Sequence, residues 1–436
     1  MSVISNDFRT TSYWWEAAPP REGSVEEPER SYDAVVVGSG VTGLNAVLTL
    51  AEGGRKTLLV DANRIGSGAS SRNNGSILPF GFLHQPELER RFGAELGAAV
   101  AKVGVDGFNY LMDIPKRYGF DAMIKSYERF FLANTPKHYR HLAHDAQLQA
   151  ERGVGLNWTA IGKEEVERRT GLRGWHGALH IPNSMAMHSG LFVQGLVHAA
   201  VRAGVAMISQ CRVTKVGRSA GQLMVRTERG DITARNVVMA TDGYSDNAFP
   251  FLKQRIIQAK LFKIATEPVP KELMQRFFPD RQLIDSKLSL SWIRPSPDGS
   301  CLLAGGRGGM TGHNPEVHAR LLHQDMVRMV PALAGLKITH CWFGQIGFPR
   351  DFTPHLGEVD GVHYAAGYSG VGMCAGSYLG NRVANKILGK PAAESVTALD
   401  RLKFPKIPGP SFFTPLYSRL GIEWYNLRDW WDLRQH

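Results

Sequence analysis

The feature that most constrains this chain is a glycine-rich turn, Gly38-x-Gly40-x-x-Gly43, set between the apolar run 34–37 and a helix-like stretch over 41–52. An acid, Asp61, closes the next apolar run at 57–60. Each spacing has a mechanical reason. Gly38 makes a tight turn, Gly40 lets backbone approach a pyrophosphate, Gly43 lets the helix sit close on the strand, and Asp61 accepts ribose hydroxyls. The helix start supplies the positive end of a dipole. The pattern predicts a strand–turn–helix–strand unit that binds a dinucleotide, and hence an α/β fold; Thr42 and Ala62 belong to the same candidate site.

A chain of 436 residues, 43% apolar and 21% charged, is long enough for a large core and for two domains or three. The longest uncharged apolar stretch is broken by the glycines of the turn, so no membrane-spanning helix is expected. Residues 1–30 carry acids and prolines rather than a basic start and an apolar core, which argues against a secretion signal and for the cytoplasm. Cys211, Cys301, Cys341 and Cys374 form no Cys-x-x-Cys pair. That argues against structural zinc, an iron–sulfur cluster or a disulfide framework; no metal site is expected. The formal charge of +11 is dispersed, with no basic block interleaved with aromatics, so it reads as solvated surface and not as a nucleic-acid site.

Residues 12–15, Ser-Tyr-Trp-Trp, followed by a Pro- and Glu-rich connector, read as an arm (1–30) laid on the surface of the body. The run 66–75, Gly-Ser-Gly-Ala-Ser-Ser-Arg-Asn-Asn-Gly, reads as a loop against a ligand. Helices are expected within 86–118, up to 149, over 164–170 and over 189–203. Strands are expected at 128–133 and 205–209, a hairpin over 223–234, and a buried strand over 236–241. The stretch 256–309 alternates as a separate sheet does. A strand at 362–366 enters a second glycine-rich turn, 367–373, and then a helix to 388.

Three features stand in the order found in the D-amino-acid-oxidase-like FAD oxidoreductases: the first unit, the 68–75 loop, and the late Pro354-His355-Leu356-Gly357 followed by Gly367-Tyr368-Ser369-Gly370. The chain resembles that family, and within it the γ-glutamylputrescine oxidase branch. The resemblance implies a Rossmann-type FAD-binding domain in pieces (31–80, 150–245, 335–400) and a mixed-sheet substrate domain (81–149, 246–334). It also implies that Gly68, Ala69, Ser70, Arg72, Asn73, Asn74 and Gly75 line the pyrophosphate, ribityl and ring region. Val213 would offer backbone to adenine, and Ala240, Thr241 and Gly243 would sit beside the diphosphate. Gly367, Tyr368, Gly370, Val371, Gly372 and Met373 would turn N–H groups toward the flavin edge that gathers negative charge on reduction. No second dinucleotide unit follows, so no nicotinamide site is expected, and electrons leave for oxygen, a quinone or a carrier protein.

Departures from the family narrow the substrate. Where sarcosine-oxidase-like members tether the flavin to cysteine, ungapped counting gives Gly344, which implies non-covalent FAD; Cys341 lies three residues away. The lysine and arginine that pair with an α-carboxylate in relatives fall at Cys374 and Ile346. An unpaired carboxylate in a dry site costs several kcal/mol. The expected substrate is therefore a small-molecule amine whose reacting carbon bears no carboxylate, though a remote acid group remains compatible. Arg307 aligns with an active-site histidine, and His355 is a candidate proton acceptor or orienter. Leu303 stands where relatives carry an oxygen-activating lysine.

The expected reaction is hydride transfer from the carbon beside an unprotonated amine to flavin N5, giving an imine hydrolysed to aldehyde plus amine. The rivals are an α-amino-acid or hydroxy-acid oxidase of the same fold, a non-catalytic flavin subunit, and a nucleic-acid-modifying flavoenzyme. The tail, 401–436, is rich in aromatics at helical spacing. It is expected to dock on the body, on a second subunit in a homo-oligomer, or on a membrane surface or electron carrier.

Overall fold

Four consecutive buried residues without alternation demand a strand covered on both faces, and Ala34–Val37 meet that demand at the centre of a parallel sheet. The computed structural model describes residues 3–79, 81, 83–151, 157–219, 221–306, 314–409 and 414–434. Its first sheet runs His355–Val359, Val362–Ala366, Gly230–Met239, Ser31–Val37, Thr57–Val60, Ala206–Ile208 in spatial order. All neighbours from 362–366 to 206–208 are parallel. The helix Val41–Glu52 makes the crossover between 31–37 and 57–60. The expected hairpin and the buried strand after it are one continuous element, 230–239, because its outer half pairs with Gln222–Thr227 while its inner half joins the parallel core.

The second sheet is mixed and ten-stranded. Its order is Ile4–Arg9, Ile338–Phe348, Ile257–Thr266, Leu302–Gly306, Ser291–Pro295, Arg281–Asp285, Lys125–Leu132, Ala178–Ala186 and Ser76–Ile77, with Thr159–Ile161 beside 178–186. This corrects the expected division of the chain. Strands 76–77, 159–161, 178–186 and 338–348 belong to the second sheet. The helices Gln85–Phe92 and Ala94–Tyr118 supply Leu88, Val100 and Leu111 to the core of the dinucleotide side, against the helix Gly372–Ile387. Hydrophobic pattern marks elements but does not say which sheet will accept them.

The N-terminal arm is also corrected. It adds an edge strand to the second sheet by pairing with 338–348, and Trp14 inserts with no exposed surface between that sheet and the 66–75 loop. The tail forms the helix Thr414–Arg434, fixed to the body through Asp429 and Asp432.

Candidate active site

The site is built from two helix starts brought together by glycine. At Gly376 and Gly380, one turn apart on the 372–387 helix, an added Cβ would stand 2.7 Å from Thr42 Oγ1 and 2.2 Å from Thr42 O. Only glycine allows the two helices to approach so closely. Tyr368 and Thr42 then share a 2.8 Å hydrogen bond between hydroxyls. Neither helix start is capped by the side chain of its own N-cap residue, Gly40 or Val371. The positive ends of two dipoles therefore face one elongated cavity of about 480 Å³.

At the early turn, Gly38 takes φ +103° and Gly43 packs so tightly that an added Cβ would lie 1.8 Å from Gly38 O. Asp61 is oriented by the turn itself: Oδ2 accepts from Ser39 N at 2.9 Å and Ser39 Oγ at 2.5 Å, and Oδ1 from Asn63 N at 2.8 Å. Burial pushes its carboxyl above the usual range, and these three donors pull against that.

The 66–75 loop is held from behind by the arm. Trp14 Nε1 donates to Asn73 O at 2.7 Å, Trp15 Nε1 to Ser71 Oγ at 3.0 Å, and the Trp15 ring lies 4.3 Å from the Arg72 guanidinium. Arg72 bridges loop and second sheet by donating to Ser67 O at 2.7 Å and Phe343 O at 3.4 Å; burial lowers its pKa. Asn73 reaches the late turn through Met373 Sδ at 3.1 Å.

The late turn is held by Asp242, which sequence reasoning did not single out. Its carboxylate accepts from Gly367 N at 2.7 Å and Gly347 N at 3.3 Å, so one side chain joins the turn to the end of the 338–348 strand. Burial raises its pKa and the backbone donors oppose the shift. Gly370 takes φ +93°.

The wall toward the second sheet carries Lys260, Phe343, Gln345 and Ile346. Lys263 stands opposite Gly305 and Trp342, so the three share a face. Its ammonium is buried and donates to Leu261 O at 3.1 Å; burial first, and positive Arg72 second, bring its pKa down to about 7. An added Cβ at Gly344 would face Ala69 and Arg72, at 3.7 and 3.6 Å. Cys341, three positions away on the same strand, points to the other face, among Phe262, Ile264 and Ile338. Its thiol is pushed up to about 12 by burial.

Of the residues expected from sequence, Gly38, Gly40, Thr42, Asp61, Ala62, Gly68, Ala69, Ser70, Arg72, Asn73, Val213, Ala240, Thr241, Tyr368, Gly370, Gly372 and Met373 line the cavity. Gly43, Asn74, Gly75, Gly243, Gly367 and Val371 do not; they shape the backbone behind it. Gly243 packs against Ile346 main chain, and Asn74 O accepts from Arg294 Nη1 at 3.0 Å. His355 is removed from the cavity: it is 1% exposed, stacked on Phe404 at 4.2 Å and bonded through Nε2 to Asp351. Arg307 lies outside the described residues. Ser39, Asp242, Tyr244, Lys260 and Gln345 are further lining residues; Ser39 falls inside the glycine signature and Asp242 inside the 240–243 stretch expected beside the diphosphate, and the other three carried no local sequence signal.

These residues fit a flavin dinucleotide. Two helix starts on one cavity suit its diphosphate and the electron-rich edge of its ring, and glycines 40, 68 and 370 leave backbone open where a Cβ would meet nothing nearer than 3.1 Å. Comparison with known proteins agrees. The family described as FAD dependent oxidoreductase (DAO) matches residues 33–386. The chain is 28% identical over 422 residues to a probable oxidoreductase, OrdL, of Rhizobium meliloti (strain 1021), covering 95% of this chain and 97% of that one. It is 26% identical over 407 residues to gamma-glutamylputrescine oxidoreductase of Escherichia coli (strain K12), covering 91% and 92%. The crystal structure of glycine oxidase from Geobacillus kaustophilus superposes with a TM-score of 0.73 at 20% identity, covering 87% of this chain and all of that one, a likeness of fold. With a family match spanning most of its length and a cavity of the right character, the chain belongs to the DAO family of FAD-dependent oxidoreductases.

Proposed function

We propose that this protein oxidises the carbon–nitrogen bond of an amine that bears no carboxylate on its reacting carbon, such as a polyamine derivative or a γ-glutamyl amine. The observation that carries this reading is the cavity wall. Ile346 lines it where some relatives place an arginine for an α-carboxylate, and Cys374 is buried with its thiol at the Leu78 backbone, outside the lining. The gamma-glutamylputrescine oxidoreductase among the relatives supports an amine with a remote acid group. Arg72 and Lys260, both on the wall, suit such a group.

Bound FAD supplies the hydride acceptor, and oxygen or another acceptor then takes the electrons. The chain's own work is placement. In this reading Gly38, Gly40 and the 41–52 helix start receive the diphosphate, flanked by Ala240 and Thr241. Asp61 receives ribose hydroxyls and Val213 faces adenine. N–H groups of Gly370, Gly372 and Met373, which line the cavity, would serve the electron-rich ring edge. The cavity would exclude water and hold the reacting carbon against its acceptor. The amine must lose its proton first, so activity rises with pH until the bound amine is neutral. The imine product is hydrolysed to aldehyde plus amine. FAD is held without a thioether, since Cys341 faces away from the loop that Gly344 faces.

An anaerobic screen of the yellow protein tests this. Amines and γ-glutamyl amines are expected to bleach the flavin's visible absorbance, and readmitted air reports whether oxygen restores it. Bleaching by glycine, D-amino acids or 2-hydroxy acids but by no amine would overturn the reading.

A further inference from the structure

A helix lying on a protein surface ordinarily turns its polar side to water. The C-terminal helix, Thr414–Arg434, leaves several of its largest apolar side chains in water. Its two aspartates point inward. Asp429 accepts from the N–H groups of Leu288 and Ser289 at 2.7 and 2.8 Å, Asp432 pairs with Lys137 at 2.8 Å, and Ile422 is buried on the same side. The outward side is a stripe at helical spacing, Leu420, Trp424, Leu427 and Trp431, exposed by 56, 55, 56 and 58%. Trp430 widens it at 48% exposure. Arginines flank the stripe and lie on its rings: Arg428 is 5.9 Å from the Trp424 ring and Arg434 is 4.0 Å from that of Trp430. Arg419 is also exposed, and Glu423 is the single outward acid of this helix.

We propose that this face docks on the surface of an anionic lipid bilayer, with the tryptophans and leucines at the level of the headgroups and the arginines on lipid phosphates. Charge complementarity selects this occupant. A second copy brought up across a two-fold axis would set three arginines and one glutamate against the same set, like charge against like. An anionic leaflet complements the arginines, and the chain's +11 adds long-range attraction. No described helix is long and apolar enough to cross a membrane, and the contact proposed is peripheral. It is independent of which substrate the enzyme oxidises.

Co-sedimentation of the full-length holoprotein with lipid vesicles tests this. Binding to vesicles of equal parts phosphatidylcholine and phosphatidylglycerol is expected to exceed binding to phosphatidylcholine alone on the order of tenfold, and to weaken with salt. Trp424→Gln/Trp431→Gln is expected to remove it, and Arg428→Glu to weaken it, with flavin content unchanged because the anchoring side of the helix is intact. The proposal is overturned if wild type ignores the anionic vesicles or if the double variant binds them equally. A wild-type dimer in sedimentation velocity that the double variant dissociates would overturn it too, giving the stripe to a second copy.

Discussion

The early and late glycine corners do the same geometric job by different means. The early corner takes its shape from near neighbours: Gly43 packs on Gly38 and Ser39 orients Asp61, all between residues 38 and 63, with the 66–75 loop adding hydrogen bonds at Ser39 and Val41. The late corner is held from a distance, by Asp242 through Gly367 N, by Gly347 O through Ser369 N, and by Thr42 through Tyr368. A local corner is specified by spacing. A distributed one depends on three segments arriving together, and its strength resides in side chains that carry no motif.

The contrast can be broken most severely at Gly43. Gly43→Ala sets a Cβ 1.8 Å from a carbonyl oxygen of the main chain, which no side-chain rotation relieves. A loss of at least about 3 kcal/mol and of bound flavin is expected, read by thermal melting and flavin content. Asp242→Ala should come next. It leaves the N–H groups of Gly367 and Gly347 without their acceptor, at about 1–3 kcal/mol each, and weakens FAD retention even though it lies far from the first signature. Flavin retained at wild-type level in this variant would show that the late corner stands without its tie. Gly370→Ala is gentler: the nearest neighbour of an added Cβ is Ile346 Cδ1 at 3.6 Å, so only the φ of +93° opposes it, at about 1–2 kcal/mol.

The smallest expected effect has the opposite sign. Lys263 has a native pKa of about 7 against an unfolded value near 10.4, so the folded state binds fewer protons between those limits. Its buried charge is a penalty fully present below pH 7 and released as pH rises toward 10. Lys263→Met should therefore raise the melting temperature modestly at pH 6, with the gap closing in alkali. A constant gap across that range would place the effect in packing instead.

Much of this was legible in sequence for a physical reason. The first unit, the 222–239 hairpin and the 362–387 strand–turn–helix are local, and their periodicity is set by neighbours along the chain. The assignment of strands 159–161, 178–186 and 338–348 to the second sheet was not legible, because apolar alternation suits either sheet. Trp14 illustrates the same limit: as an aromatic near a terminus it reads as surface, yet it plugs the space behind Asn73. Gly376 and Gly380 fall inside the helix expected up to 388, and the close approach of Thr42 explains them. His355 looked reactive by its place after Pro354, but Phe404 and Asp351 enclose it.

The edge strand Ile4–Arg9 has a consequence for how the molecule is made. Its partner, Ile338–Phe348, lies far along the chain, so residues 4–9 wait until that segment has been synthesised before they find a mate. Trp14 waits with them, since the surface that receives it includes Trp342 and Leu303. Closure of the 66–75 loop is thus a late event in biogenesis, and a nascent chain arrested before residue 338 would carry this strand unpaired and Trp14 without Trp342 behind it.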